Sequence, residues 1–239
     1  MSMTYSFSLK SKKHNIFISS IFFAVMFLLL FIFSNLDLQS PIPSVIGSLL
    51  HVLSLSAGNP TFIISCVVLA LIAFKTRAPN QRLFILYMQF ALILGLSFVL
   101  KSTVKYITEV PRPFTHQLVE QQLIDTPAQF YQLSEQQKNE LINTASEQVP
   151  RYRIANWDGE KNYSFPSGHT IFVATCVVFW GGLFLREKRY LLSAVVLTWA
   201  TGVAFSRYWL GMHWPVDILM SIFCAILLML LVPDVEYED

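Results

Sequence analysis

Six apolar stretches, near Ile16–Phe33, Thr61–Phe74, Leu83–Leu100, Thr170–Leu185, Tyr190–Phe205 and Val216–Val232, dominate the chain. A helix needs about 20 mostly apolar residues to cross the hydrocarbon layer, and inside that layer backbone amides must be satisfied within the protein. The sequence therefore predicts an all-α fold, a six-transmembrane-helix bundle. The second and fourth stretches are short, so their ends extend into flanking polar residues or line a protein-enclosed cavity. Of 239 residues 54% are hydrophobic and 13% charged, with a mean hydropathy of +0.52, which excludes a soluble globule. A formal net charge of +2 without a dense basic tract argues against nucleic acid as a partner. Cys66, Cys176 and Cys224 each lie inside an apolar stretch and read as buried free thiols.

Lysines and arginines in short loops set orientation. Lys10, Lys12 and Lys13 precede the first span; Lys75, Arg77 and Arg82 separate the second and third; Arg186, Lys188 and Arg189 separate the fourth and fifth. In a six-span chain all three clusters face one side, the cytoplasm, and so do both termini. The basic N-terminal segment mimics an export signal, but its apolar stretch is long for one and no small-x-small cleavage pattern follows, so it reads as a retained span. The opposite, outer side receives Ser34–Pro60, the polar stretch Lys101–His169 and the link Ser206–Pro215. Val45–Ala57 reads as an interfacial helix, with His51 an interface residue and not a ligand. Within one domain over 1–239, residues 106–165 read as a small helical extramembrane cap. Ser134 with Gln137 forms a capping box opening a helix to about Glu147, and Thr126-Pro127 starts a shorter one.

Polar side chains beside membrane spans are costly to keep, so their grouping is informative. Lys105 with Arg112, Ser167-Gly168-His169, and Arg207 with His213 and Asp217 all fall on the outer face. Lys105, Arg112 and Arg207 supply cationic donors, and Arg presents a fork matched to phosphate oxygens. Ser167 and Gly168 lie where a loop turns into a helix, whose first N–H groups favour an anion. Two histidines with one carboxylate suit phosphoryl transfer through a covalent intermediate: His213 as nucleophile, Asp217 four residues on holding its ring, and His169 as general acid. The carboxylate pairs that hold catalytic magnesium are missing from this face, which predicts a metal-independent reaction without a cofactor. His116 follows the first group closely; His14 reads as a surface residue.

Lys105-x6-Arg112-Pro113, Pro166-Ser167-Gly168-His169 and Ser206-Arg207-x5-His213-x3-Asp217 resemble the three signature motifs of the type 2 phosphatidic acid phosphatase superfamily, without gap or substitution. The resemblance implies a helical membrane core with His213, His169 and Asp217 catalytic, and Lys105, Arg112, Ser167, Gly168 and Arg207 binding phosphate. It implies a multi-pass enzyme of the bacterial inner membrane acting on lipid phosphates at the periplasmic face: phosphatidylglycerophosphate, phosphatidic acid, lysophosphatidic acid, diacylglycerol pyrophosphate and undecaprenyl pyrophosphate. The bilayer and its lipid phosphates are the expected partners, with no obligatory protein partner evident. The residues leave hydrolysis and phosphate transfer to another lipid both open, since either uses the same groups.

Overall fold

The computed structural model describes residues 3–6, 9–76 and 83–237; the predicted cytoplasmic cations Arg77 and Arg82 lie outside the described residues. The helices are α1 (Lys13–Ile32), α2 (Ser44–Ser56), α3 (Phe62–Thr76) and α4 (Leu83–Thr108), then α5 (Pro113–Glu120), α6 (Pro127–Gln132), α7 (Glu135–Ala145) and α8 (Arg151–Gly159). A continuous rod follows, α9 (Gly168–Cys176) running through a π turn (Val177–Gly181) into α10 (Gly182–Arg186), before α11 (Tyr190–Trp209) and α12 (Pro215–Leu231). Four segments are long and apolar enough to cross a membrane: α1, α4, the α9–α10 rod and α11. The other two predicted spans are shorter. The 15 residues of α3 and 17 of α12 rise about 22 and 25 Å, less than a hydrocarbon layer of roughly 30 Å.

The α9–α10 rod is the central helix. Nearly all of its residues are buried, and it packs against α12, α11, α4 and α1. The outer helices turn Phe17, Phe27, Phe31, Phe84 and Leu92 outward, a surface suited to lipid and not to water. The π turn frees backbone carbonyls that side chains then satisfy: Asn15 Nδ2 donates to Val178 O at 2.8 Å and Ser193 Oγ to Gly181 O at 2.9 Å. Cys66, Cys176 and Cys224 are free thiols, Cys176 fully buried.

One element departs from the all-α prediction. β1 (Met3–Ser6) pairs antiparallel with β2 (Asp234–Tyr237). Both ends of the chain leave the bundle at the same end, and extended segments emerging together satisfy their amides by pairing. Cations gather there too. Lys12 Nζ donates to Met229 O at 2.6 Å, to Leu230 O and to Val232 O, a buried cation on the carbonyl end of α12. Arg189 donates to Thr76 O at the end of α3.

The cap forms the opposite end. Ser134 and Gln137 make the predicted capping box on α7, and α6 starts at Pro127; α5 and α8 were not foreseen. The four helices share a core of Phe114, Leu118, Phe130, Ile142 and Trp157, which also takes in Leu38, Leu210 and Met212. The predicted interfacial helix is α2, displaced by one residue. It lies against α8 where Gly47 meets the Tyr152 ring; a Cβ there would fall 2.2 Å from Cδ2.

Candidate active site

His213 sits in the turn between α11 and α12, and the cap core holds that turn. Gly211 takes φ +74, and a Cβ on it would meet Leu38 and Trp157, so glycine is required twice over. Trp157 Nε1 donates to Leu210 O at 2.8 Å, Phe114 N to Gly211 O at 3.1 Å, and Trp214 Nε1 to Pro111 O at 2.8 Å. Arg112, fully buried, donates from Nη1 to Met212 O at 2.9 Å. Its own backbone N–H is fixed by the Tyr131 hydroxyl of α6 at 2.9 Å. Burial pushes the Tyr131 pKa up to about 12, so it stays a neutral hydroxyl. The first and third motifs are thus stitched together through the cap.

His213 and Asp217 are fully buried, with His213 Nδ1 3.3 Å from Asp217 Oδ2. Pro215 opens α12, and Asp217 Oδ2 also accepts the Trp214 N–H at 2.9 Å, which locks the carboxylate at the helix start. With Nδ1 carrying the proton toward Asp217, Nε2 is the lone-pair nitrogen, and it faces Arg112 Nη1 at 3.3 Å. Burial and the positive charges of Arg112, Arg207 and Lys105 hold the His213 pKa well below its ordinary value. The ring is neutral at physiological pH, as a nitrogen nucleophile must be.

Arg207 comes up from the last turns of α11. Its Nη1 donates to Ser54 Oγ at 2.6 Å and to Asn156 Oδ1 at 3.2 Å. Ser167 is the N-cap of α9, its Oγ accepting from Thr170 N at 3.3 Å while its own N–H donates to Ser221 Oγ at 3.0 Å. The Ser167 N–H is therefore committed. The Gly168 and His169 N–H groups have no partner among the described residues and remain for an anion. Lys105 Nζ donates to Tyr163 O at 2.5 Å, beside a cavity of about 810 Å³ that also contacts Lys101, Glu160, Gly168, His169 and Arg207.

At the centre lies a residue that the sequence reading missed. Glu160, just past α8, places its carboxylate 3.0 Å from Arg112 Nη2, 2.8 Å from Arg207 Nη2 and 3.4 Å from His169 Nδ1. Burial alone would raise its pKa, but Arg207, His169, Arg112 and Lys105 pull it well below the usual carboxylate range. It is an anion held between two guanidiniums. Lys101, one turn before Lys105 on the same helix, was also missed, as was the place of His51, which lines the cavity. His116 stacks edge-on against Trp214 at 5.3 Å and faces a separate cavity of about 500 Å³ behind His213. Among the described residues no three His, Cys, Asp or Glu side chains converge as a metal would require.

The family model described as the PAP2 superfamily matches residues 86–238. The chain belongs to the PAP2 superfamily. The match takes in all three motifs and the helices that bear them. Among similar proteins is "Phosphatidylglycerophosphatase B" of Haemophilus influenzae, 31% identical over 189 residues, 74% of this chain and 76% of that one. The proteins of that name from Escherichia coli K12 and Shigella flexneri are 36% identical over 124 residues, 51% of this chain and 48% of theirs. The chain thus aligns with about half the length of the latter two.

Proposed function

We propose that this chain is an integral membrane phosphatase that hydrolyses the terminal phosphate of lipid phosphates through a phosphohistidine intermediate, with phosphatidylglycerophosphate, phosphatidic acid and undecaprenyl pyrophosphate as substrates. One observation carries the reading: Arg112, Arg207 and His169 converge on a single half-buried carboxylate, with His213 Nε2 on the far side of Arg112. A site that holds one carboxylate this way is suited to hold phosphate. The PAP2 family match and relatives named for phosphatidylglycerophosphate hydrolysis support it.

The phosphate takes the Arg112 and Arg207 donors from the Glu160 carboxylate, which keeps its place beside His169 Nδ1, and is bound also by Lys105 and the free N–H groups of Gly168 and His169. Arg112 then donates to phosphate oxygen and releases Nε2 of His213, which attacks phosphorus as the ester P–O bond breaks. The departing oxygen takes its proton from His169 Nε2, and Asp217 stabilises the positive charge arising on the His213 ring. Water then attacks the phosphohistidine from the side the alcohol left and gives a proton to His169. The P–N bond breaks, its electron pair returns to Nε2, and phosphate leaves. Guanidiniums and helix N–H groups stabilise charge on the equatorial oxygens in both steps.

Six crossings, with α3 and α12 as the short ones, place both termini and the basic loops in the cytoplasm and the cap in the periplasm of a bacterial inner membrane. The terminal ribbon and the cations at that end support this orientation. The lipid enters sideways between α3 and α4. Tyr87 Oη donates to Ala70 O at 2.8 Å and ties this pair near the basic end, whereas at the cap end the cavity wall between them is two side chains, Phe62 and Phe98, edge to face at 5.5 Å. A panel of lipid phosphates and pyrophosphates, assayed for phosphate release with wild type and His213→Ala, tests the activity. Release unchanged in His213→Ala refutes it. Impermeant maleimide on intact cells tests the orientation: Glu140→Cys in the cap should label and Lys188→Cys at the basic end should not, and the reverse pattern would overturn it.

A further inference from the structure

The cavity of about 810 Å³ is far larger than a phosphate group, and its inner wall carries a polar group without a role in the chemistry above. His51, on the face of α2 that looks toward the cap, has its Nδ1 3.0 Å from Asn156 Nδ2. The direction of that hydrogen bond is fixed from the phosphate side. Arg207 has only donors, so the Asn156 atom 3.2 Å from Nη1 must be the carbonyl oxygen, and the amide nitrogen must face His51. The same nitrogen donates to Tyr152 O at 2.8 Å, a carbonyl that can only accept, so the amide cannot turn over without losing both the Arg207 and the Tyr152 bonds; Ser54 Oγ also donates to Asn156 Oδ1, at 3.1 Å. Nδ1 of His51 is therefore an acceptor, and the ring proton sits on Nε2. That N–H has no partner among the described residues, on a ring that lines the cavity.

A half-buried donor held in one tautomer by the same amide that supports the phosphate-binding Arg207 is placed to read whatever is attached to the phosphate. We infer that His51 is a specificity-determining residue, whose Nε2–H donates to a hydroxyl on a short polyol spacer between the terminal phosphate and the acyl-bearing part of the lipid. The neighbouring surface has the matching character. Ser54, Asn156 and Asn162 line part of it with polar groups, and Leu55, Phe62 and Phe98 line part of it with apolar ones. A lipid whose phosphate rides on a glycerol bridge, as in phosphatidylglycerophosphate, puts its hydroxyl against the polar groups and its chains against the apolar ones.

The inference rests on the phosphatase reading and is separable from it by measuring substrate ratios within each enzyme. Phosphate release is followed with phosphatidylglycerophosphate and with its propane-1,3-diol analogue, which lacks the spacer hydroxyl. One neutral hydrogen bond corresponds to roughly a threefold to tenfold preference in kcat/KM for the hydroxylated lipid in wild type. His51→Ala should bring that ratio close to one. His51→Gln, whose amide nitrogen can reach the place of Nε2, should restore it, and His51→Asn, which reaches only toward Nδ1, should not. Because each ratio is taken within a single preparation, partial misfolding of a variant cancels. A wild type with no preference, or a preference unchanged in His51→Ala, would overturn the inference. No phosphate release from either lipid in wild type would instead sink the phosphatase reading.

Discussion

Replacing Glu160 by Gln keeps the shape of the side chain and removes the charge held between the two guanidiniums. Arg112 and Arg207 are each engaged by this carboxylate, at 3.0 and 2.8 Å. An incoming phosphate must take those donors away. A hydrogen bond to a charged group contributes about 1.5–3 kcal/mol, and removing one such competition corresponds to roughly a tenfold to hundredfold gain in anion affinity. Turnover should move the other way, because His169 Nδ1 loses the carboxylate 3.4 Å away that orients its ring, by about tenfold or more. The assay is inhibition of phosphate release by orthovanadate, with Ki and kcat measured side by side. Tighter vanadate with slower turnover is the expected pair. An unchanged or weaker Ki would refute the idea that Glu160 competes with phosphate for these donors.

Glu160 also makes stability depend on pH. Its folded pKa is depressed by the surrounding cations, so its contribution is present above the unfolded carboxylate pKa of about 4.3 and is lost as pH falls through the lower folded value. Thermal unfolding in detergent at pH 7 and pH 3 should show a smaller difference for Glu160→Gln than for wild type. Asp217→Asn should lower kcat by about a hundredfold or more while vanadate affinity stays within about threefold, because the change removes orientation of His213 and no cation. Gly58→Ala puts a methyl 3.0 Å from His169 Nε2, the atom that meets the leaving oxygen, and should slow turnover with little change in Tm. Gly47→Val overlaps the Tyr152 ring where α2 docks on the cap; overpacking of this kind costs about 1–3 kcal/mol, read as a lowered Tm.

The motif residues were legible because each group is compact in sequence and sits at the end of an apolar stretch, where a charge needs a reason. Glu160 was not legible for the opposite reason. It is one acidic residue among many in the polar cap, and nothing in its spacing indicates that α8 folds back to bring it onto Arg112 and Arg207. The available signal was charge balance: three cations expected at one buried site call for a counter-anion, and Asp217 was already assigned to His213. α8 escaped notice because its buried face holds Arg153, Asn156 and Trp157, so apolar periodicity is absent. Arg153 donates instead from Nε and Nη1 to the carbonyls of Leu38, Ser40 and Trp209. His51 was read as an interface residue because α2 is apolar on most of its surface; its inward orientation depends on Asn156, more than a hundred residues away. The lengths of α3 and α12 follow from where their flanking turns close, at Gly58 and Pro215, which composition does not specify.

Everything in the proposed chemistry requires His213 Nε2 to become bonded to phosphorus. Rapid acid-free quenching of the enzyme during turnover of a lipid carrying a radiolabelled terminal phosphate, followed by peptide mapping, tests this directly. The label should be found on His213, in a linkage stable to alkali and labile to acid, and should be absent from His213→Ala. Label on a serine or on His169, or steady phosphate release by His213→Ala, would contradict the mechanism.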